Sequence, residues 1–318
     1  MAGELTIANM GDALVAETLT GGFEQAAHET GNFLDHPVIK AGYLGAVTGT
    51  SSNVISKSVA GLGGYDPLGA GTEGTAPSNS TFALDKLSAT VTKQTKVYAE
   101  NSDIVAALLA GRLQISDFVA DAFLSYQARL MDMLCGEIDG FSSPVGSAAA
   151  QLDAPTVIAA MTAAKVAKLR GPLMLMLHDY QWGQLALDLG LGAGGVLQWL
   201  PATAEMLQLR TDAFQGNWLN MDVYVSSRVV TGDAGASRVG AILGTFPNVG
   251  GGMGSSVVWA DADFLTTLST QVNLGGKVLF GLDRGEKEGE TSYVSHAMLG
   301  TGIGQAGVSL KSINAAPS

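Results

Sequence analysis

The stretch SVAGLGGYDPLGAGTEGTAPSNST, residues 58–81, carries six glycines and two prolines in 24 positions. Segments with the character of β-strands flank it. Upstream, TGTSSNVISKSV (48–59) is rich in β-branched and hydroxyl residues; downstream, FALDKLSATVTKQTKVY (82–98) alternates over its whole length. So long a structureless connection inside a compact domain argues against the strands, or marks a segment that works outside its own domain. Both faces of the downstream strand are largely polar: Leu87, Ala89, Val91, Lys93 and Thr95 alternate with Ser88, Thr90, Thr92, Gln94 and Lys96. Such a strand is expected to gain little from its own core, and a lone hairpin is marginal in water. The hairpin is therefore expected to lie on a neighbour.

Composition agrees with that expectation. The chain of 318 residues is long enough for a substantial core, yet only 14% of its residues are charged and 47% are hydrophobic. A surface so poor in charge is expected to be covered in part, and copies of the same chain are the simplest cover. With 17 basic against 29 acidic residues, a net charge of −12, tight nucleic-acid binding is disfavoured, because that affinity comes from Lys and Arg on phosphates. A single cysteine, Cys135, excludes an intramolecular disulfide framework and reads as a small core hydrophobe on a helix. The N-terminus has Glu4 where a leader would carry a base, so the chain is expected to be non-secreted. The longest uncharged stretch, 239–260, is interrupted by Pro247, Asn248 and several glycines, so no membrane span is expected.

Outward from the hairpin, residues 8–40 read as an amphipathic arm, with Met10, Leu14 and Val15 on one side, a stop at Gly21-Gly22, and NFLDHPVI extended. NSDIVAALLAG (101–111) reads as a short capped helix. The longest helix is expected over 116 to about 139, where Phe118, Val119, Ala122, Phe123, Tyr126, Leu130, Met133, Leu134 and Ile138 recur at three-and-four spacing. LDAPTVIAAMTAAKVAKLRGP is a helix capped by Asp153, with Pro155 in its first turn and Gly171-Pro172 as its stop. PLMLMLH reads as a buried strand, after which Asp179 is expected to cap the helix YQWGQLALDLG, closed by Gly190. Strands follow at NMDVYVSSRVV, SRVGAIL and SSVVWA, with a short helix near ADFLTTLS. A terminal hairpin, KVLFGL and TSYVSHAML around DRGEKEGE, precedes a last strand, GVSLKSI.

Motifs for chemistry fail on context. GLGAGG (190–195) follows a helix where a dinucleotide fingerprint needs a strand, and GIGQAG (302–307) leaves only eleven residues behind it. His178 beside Asp179 suggests a base pair or metal pair, but the Asp reads as a cap and the His as a strand end. His28, His36 and His296 lack ligand spacing. No catalytic, metal or cofactor residue is proposed, and the protein is not expected to be an enzyme.

The order of these parts, a polar arm, a long hairpin with a glycine-rich tip, the helix DFVADAFLSYQARLMDMLCGEIDG, a mixed lobe and a returning hairpin, resembles the major capsid proteins of tailed phages, the Hong Kong 97-type fold. The stretches LMLHDYQWGQLAL and NMDVYVSSRV look like lobe segments of that family. The resemblance implies an α+β chain divided into an N-terminal arm (1–45), an extended loop (46–100) and a peripheral domain with its spine helix (101–150). An axial domain (151–265) and the return strands of the peripheral domain (266–318) complete it. It implies self-assembly into pentamers and hexamers of an icosahedral head around double-stranded DNA, located in the virion and assembled in the host cytoplasm. The loop would lie across a neighbour, with Lys57, Leu62, Tyr65, Leu68, Phe82 and Lys86 in inter-subunit contact. A separate scaffolding protein, a portal, weakly contacted DNA and a possible decoration protein would be its partners. Some relatives crosslink a loop Lys to a distant Asn; Lys57 or Lys86 and Asn273 or Asn314 are available here, and nothing selects a pair. Two alternatives stand beside this reading: an encapsulin-like nanocompartment shell, and a secreted β-rich adhesin, against which the capped helices between 102 and 190 count.

Overall fold

A computed structural model describes residues 33–47, 53–60, 84–99, 115–191, 199–201, 213–247, 253–262, 271–274, 277–284, 291–305 and 307–317. The expected arm up to residue 32, the helix at 101–111, the hairpin tip at 61–83, the short helix after Ala262 and the turn at 285–290 lie outside them.

The apolar run PLMLMLH forms a strand, β6 (Arg170–Leu177), as expected. Its side chains alternate between two cores, because a strand sends successive residues to opposite faces. Met174 and Met176 join one cluster; Leu175 and Leu177 join another. A strand buried on both faces reads as a continuous hydrophobic run.

Around β6 a large sheet runs in the order β5 (Ser143–Gly146), β17 (Val308–Ile313), β11 (Ser237–Pro247), β6, β9 (Met221–Val225), β8 (Phe214–Trp218) and β7 (Trp199–Pro201). Short strands β10 (Thr231–Gly232) and β12 (Met253–Ser255) add to β11. One face of the sheet is covered by α1 (Pro37–Ala41) and α2 (Ile115–Ile138), where Val38, Ile39, Leu130, Met131, Leu134 and Ile138 meet Met176, Ala241 and Leu243. The opposite face is covered by α3 (Ala154–Val166) and α4 (Asp179–Leu191), where Val157, Ala164 and Leu185 meet Leu177, Ile242 and Leu310. The 24 residues of α2 span about 36 Å. Among the described residues no helix is long and apolar enough to cross a membrane.

A smaller sheet runs β1 (Tyr43–Val47), β13 (Val257–Ala262), β16 (Thr291–Ile303), β15 (Val278–Arg284) and β14 (Gln271–Leu274). β4 (Thr92–Ala99) pairs antiparallel along β16, from Thr92 opposite Leu299 to Ala99 opposite Ser292. The expected hairpin KVLFGL/TSYVSHAML is β15–β16. GVSLKSI does not stay with it: β17 crosses to the large sheet between β5 and β11.

Local chemistry departs from expectation at four helix ends. NFLDHPVI is not extended: the His36 amide donates to the Phe33 carbonyl, Pro37 opens α1, and the His36 ring accepts from the Val38 amide at Nδ1. Phe33, Val38 and Ile39 are buried there. Asp153 caps α3 as expected, accepting the Thr156 amide at 2.9 Å, but the helix ends at Val166 and Gly171-Pro172 opens β6 instead. At α4 the cap is His178. Its Nδ1 accepts from the Tyr180 amide at 3.0 Å, while Gln181 Oε1 accepts the His178 amide at 3.2 Å, a reciprocal box in which Asp179 is already the first helical residue. α4 also runs through Gly190 to Leu191.

Candidate functional site

The strand expected over 82–98 is two strands, broken at Val91, whose amide donates to the Asn53 carbonyl. Past the break β4 stays in the small sheet. Before it, β3 (Leu84–Thr90) leaves with β2 (Val54–Ala60) as a separate antiparallel ribbon, Val54 opposite Thr90 and Ala60 opposite Leu84. The ribbon's root does gain from the chain's own core, contrary to expectation. Leu87, Ala89 and Val91 are buried against Val258 and Ala260 of β13, while Lys86, Ser88 and Thr90 face solvent. Burying Leu87 and Val91 contributes roughly 3–5 kcal/mol. The polar reading came from Lys93 and Thr95, which continue the same face beyond the cover of β13 and are exposed.

β3 crosses the end of β16 at backbone contact. A Cβ at Gly300 would stand 2.4 Å from the Thr90 carbonyl oxygen, and one at Gly302 would stand 2.5 Å from that of Ser88. The first glycine of GIGQAG is thus occupied with chain crossing.

On the opposite face of β13, Asp261 is the charge on which α2 and two strands of the small sheet converge. It is 1% exposed, accepts the Tyr43 hydroxyl at 2.8 Å and the Tyr126 hydroxyl at 3.3 Å, and pairs with Lys277 Nζ at 2.8 Å. These partners come from β1, α2 and the start of β15. Burial, and then the Asp261 hydrogen bond and charge, push the Tyr43 hydroxyl above its ordinary value, against an opposing pull from Lys277. Sequence reading missed this centre; an acid inside the apolar strand VVWADA was its signal.

Of the residues expected in inter-subunit contact, Lys57 and Lys86 are described, and both are exposed. Lys57 stands opposite Leu87 and Lys86 opposite Ser58, so alternation sends the two lysines to opposite faces of the ribbon. Leu62, Tyr65, Leu68 and Phe82 lie outside the described residues. Asn314 is engaged in the fold: its Oδ1 accepts from Arg238 Nε at 2.8 Å and its Nδ2 donates to the Gly235 carbonyl.

Among the described residues, those weighed for chemistry are in structural use; His28 and residues 192–195 lie outside them. Cys135 is fully buried, and burial, then the Asp132 charge, pushes its thiol up to about 12 against the opposing Arg228, which removes the thiolate a nucleophile needs. His178 is held below its ordinary value by burial and then by Arg238, with Asp179 opposing, so it serves as a neutral cap. His36 Nε2 lies 3.2 Å from Asp222 Oδ2, and His296 Nδ1 lies 3.1 Å from Thr95 Oγ1. Among the described residues no three His, Cys, Asp or Glu side chains form a metal-binding group. A cleft of about 310 Å³ between α2 and β4 is lined by Lys96, Ser125, Arg129 and Ser295. Lys96 is already tied there to Asp121 and Ser125, and Arg129 to Gln94.

No protein-family model and no curated protein sequence matches the chain. Solved structures do. The chain is similar to the capsid of Ralstonia phage GP4 at 12% identity and TM-score 0.54, over 85% of this chain and 86% of that one. It is similar to the head protein of Helicobacter pylori bacteriophage KHP40 at 13% identity and TM-score 0.54, over 91% and 93%. An encapsulin complex from Synechococcus elongatus follows at 10% identity and TM-score 0.51, over 72% and 76%. The chain therefore has the α+β fold of phage capsid proteins, the fold that the order of its parts resembles.

Proposed function

We propose that this chain is the major capsid protein of a tailed phage, assembling into pentamers and hexamers of an icosahedral head around double-stranded DNA. The observation that carries the reading is a two-stranded ribbon that leaves a two-sheet body of capsid fold while its root is buried in that body. The ribbon then belongs to the extended loop (46–100) and α2 is the spine helix of the peripheral domain (101–150 with 266–318). Strands β6 to β12 of the large sheet, with α3 and α4, form the body of the axial domain (151–265), β5 and β17 of the flanking segments extend that sheet at one edge, and residues 1–45 are the arm. Lys57 and Lys86, exposed on opposite faces, contact different surfaces of a neighbour, with Leu62, Tyr65, Leu68 and Phe82 beyond them. Its role is structural and its site the virion shell, assembled in the host cytoplasm with a separate scaffolding protein and a portal. A net charge of −12 keeps the walls from holding DNA fast and makes subunits repel, so assembly depends on salt or scaffold.

Negative-stain microscopy of the purified chain across a salt series tests this. Closed hollow particles are expected at raised salt. A chain that stays monomeric at every concentration, with or without co-expressed partners, would refute it. The likeness to an encapsulin supports a second reading, a nanocompartment shell, over a smaller share of the chain. Particles that co-purify with an enzyme cargo rather than nucleic acid would favour it.

A further inference from the structure

Basic residues are scarce in this chain, and several of those described are matched to acids. Lys40, Lys96, Arg228, Lys277 and Lys311 each lie within 3.1 Å of a carboxylate. The corner where α3 passes into β6 gathers three exposed cations within six residues. In AKVAKLR, Lys165, Lys168 and Arg170 are all exposed, and among the described residues neither Lys165 nor Arg170 has a carboxylate partner. Val166 stands between them at 77% exposure, the highest among the exposed large hydrophobic residues described. An apolar centre inside a polar, like-charged rim is the anatomy of a protein interface.

The backbone supplies a second, independent observation. α3 ends with the Leu169 amide on the Ala164 carbonyl and the Lys168 amide on the Lys165 carbonyl, a closing motif that puts Lys168 in the left-handed region at φ 62°. Glycine is the usual residue there, because a side chain in that region costs about 1–2 kcal/mol. The chain has 42 glycines and uses one three residues later, Gly171 at φ 76°. The C-terminal end of a helix dipole favours a cation nearby, which accounts for Lys165, but it does not call for a lysine at the strained position. A strained residue held against its preference points to function.

We propose that the α3–β6 corner, Lys165, Val166, Lys168 and Arg170, is an inter-subunit docking patch that seats on an acidic surface of a second copy of this chain. The occupant follows from charge. Each copy carries a net −12, so a basic, apolar-centred patch on one copy meets attraction on the next where most other surfaces meet repulsion. Packaged DNA would also be attracted to the cations, but it gives no reason for Val166 at their centre. The inference rests on the shell-forming reading above and adds a contact remote from the ribbon.

Three chains are compared: wild type, Lys168→Gly, and the double variant Lys165→Glu with Arg170→Glu. Each is melted in the dissociated state and titrated for particle formation by light scattering and microscopy. Lys168→Gly relieves the left-handed strain, so its Tm rises, while the concentration needed for particles rises about threefold or more. The double variant puts an acid at the C-terminal end of α3, so its Tm falls by about 1–3 °C, and it raises that concentration about tenfold or more. Variants that assemble like a wild type that does form particles overturn the patch alone. So does normal assembly with reduced DNA retention, which would assign the cations to nucleic acid. A wild type that forms no particle under any condition overturns the shell reading, and the patch with it.

Discussion

Replacing Asp261 with asparagine removes the charge that ties β1, β13, α2 and the start of β15 together. The carboxylate is 1% exposed and Lys277 Nζ stands 2.8 Å from it, with the Tyr43 and Tyr126 hydroxyls donating as well. Breaking a buried pair by deleting one partner costs about 3–5 kcal/mol, chiefly because the survivor's charge is left without compensation. Lys277 keeps 28% of its side chain exposed and can lean its ammonium toward water, so Asp261→Asn should cost about 2–3 kcal/mol. At about 2 cal/mol/K of unfolding entropy per residue, that lowers Tm by about 3–5 °C for a chain of this length.

Lys277→Met is the harsher change. It strands the carboxylate, which has no comparable route to solvent, and should cost the full 3–5 kcal/mol or so. The double variant should be less destabilised than the sum of the singles by about 1.5 kcal/mol or more, since it leaves no unpaired charge. Urea unfolding of the dissociated chain, with the slope checked for constancy among variants, measures all four corners of the cycle. Single costs that add to within about 0.5 kcal/mol would refute the reasoning, because they would mean that Asp261 and Lys277 act independently.

Two glycine substitutions should have opposite signs. Gly136→Ala, at an α2 position with nothing within 4 Å of a new Cβ, should stabilise the chain by about 0.5–1 kcal/mol, whereas Gly300→Ala drives a Cβ into the Thr90–Val91 backbone and should cost about 1–3 kcal/mol; equal effects in thermal melts would refute the crossing. His178 is held neutral, its folded pKa below the ordinary 6.5, so the stability it contributes is present above that value and is lost as pH falls below it. His178→Asn keeps a side chain that can cap and should flatten that acid limb; an unchanged pH profile of unfolding would count against the assignment. Cys135, its thiol pushed up to about 12 and fully buried, should resist iodoacetamide at pH 8 in the native chain and react on unfolding, as mass spectrometry would read directly.

What sequence reading captured was set by neighbours along the chain. The three-and-four spacing of Val119, Ala122, Leu130, Leu134 and Ile138 marks the buried face of α2, and the unbroken run in β6 marks a strand covered on both sides. Phe123, Tyr126 and Met133, expected on the same face, are only half-buried, and Met131 and Cys135 take their share. What it missed was set across the chain. Asp179 is the stronger intrinsic cap, but the box needs Gln181 one turn on, and that fixes the start at His178. Gly171-Pro172 looks like a helix stop, yet α3 closes earlier on Lys168, a residue type that does not announce a left-handed turn. The strand signals of β15, β16 and β17 are alike, and nothing in them records that the last one belongs to the other sheet.

The ribbon's root shows what the long-range part would decide in the proposed shell. Between Leu87 and Val91 the chain is held from three sides: by the buried Leu87, Ala89 and Val91, by the Asn53 carbonyl on the Val91 amide, and by backbone contact with Gly300 and Gly302. Backbone contact has no rotamers with which to adjust, so the direction in which the ribbon leaves the body is fixed by the same packing that holds the small sheet together. In a shell of the proposed kind, subunits meet at more than one angle. A fixed root then sends every copy's ribbon outward along one bearing, and whatever fitting a neighbour demands falls on residues past Ser56 and Ser88, where Lys57 and Lys86 are the first exposed charges. A reading of this hairpin as polar on both faces holds for its outward face and fails at its base, where the chain's own core anchors it; a loop of the proposed kind would need that anchor to reach a neighbour reproducibly.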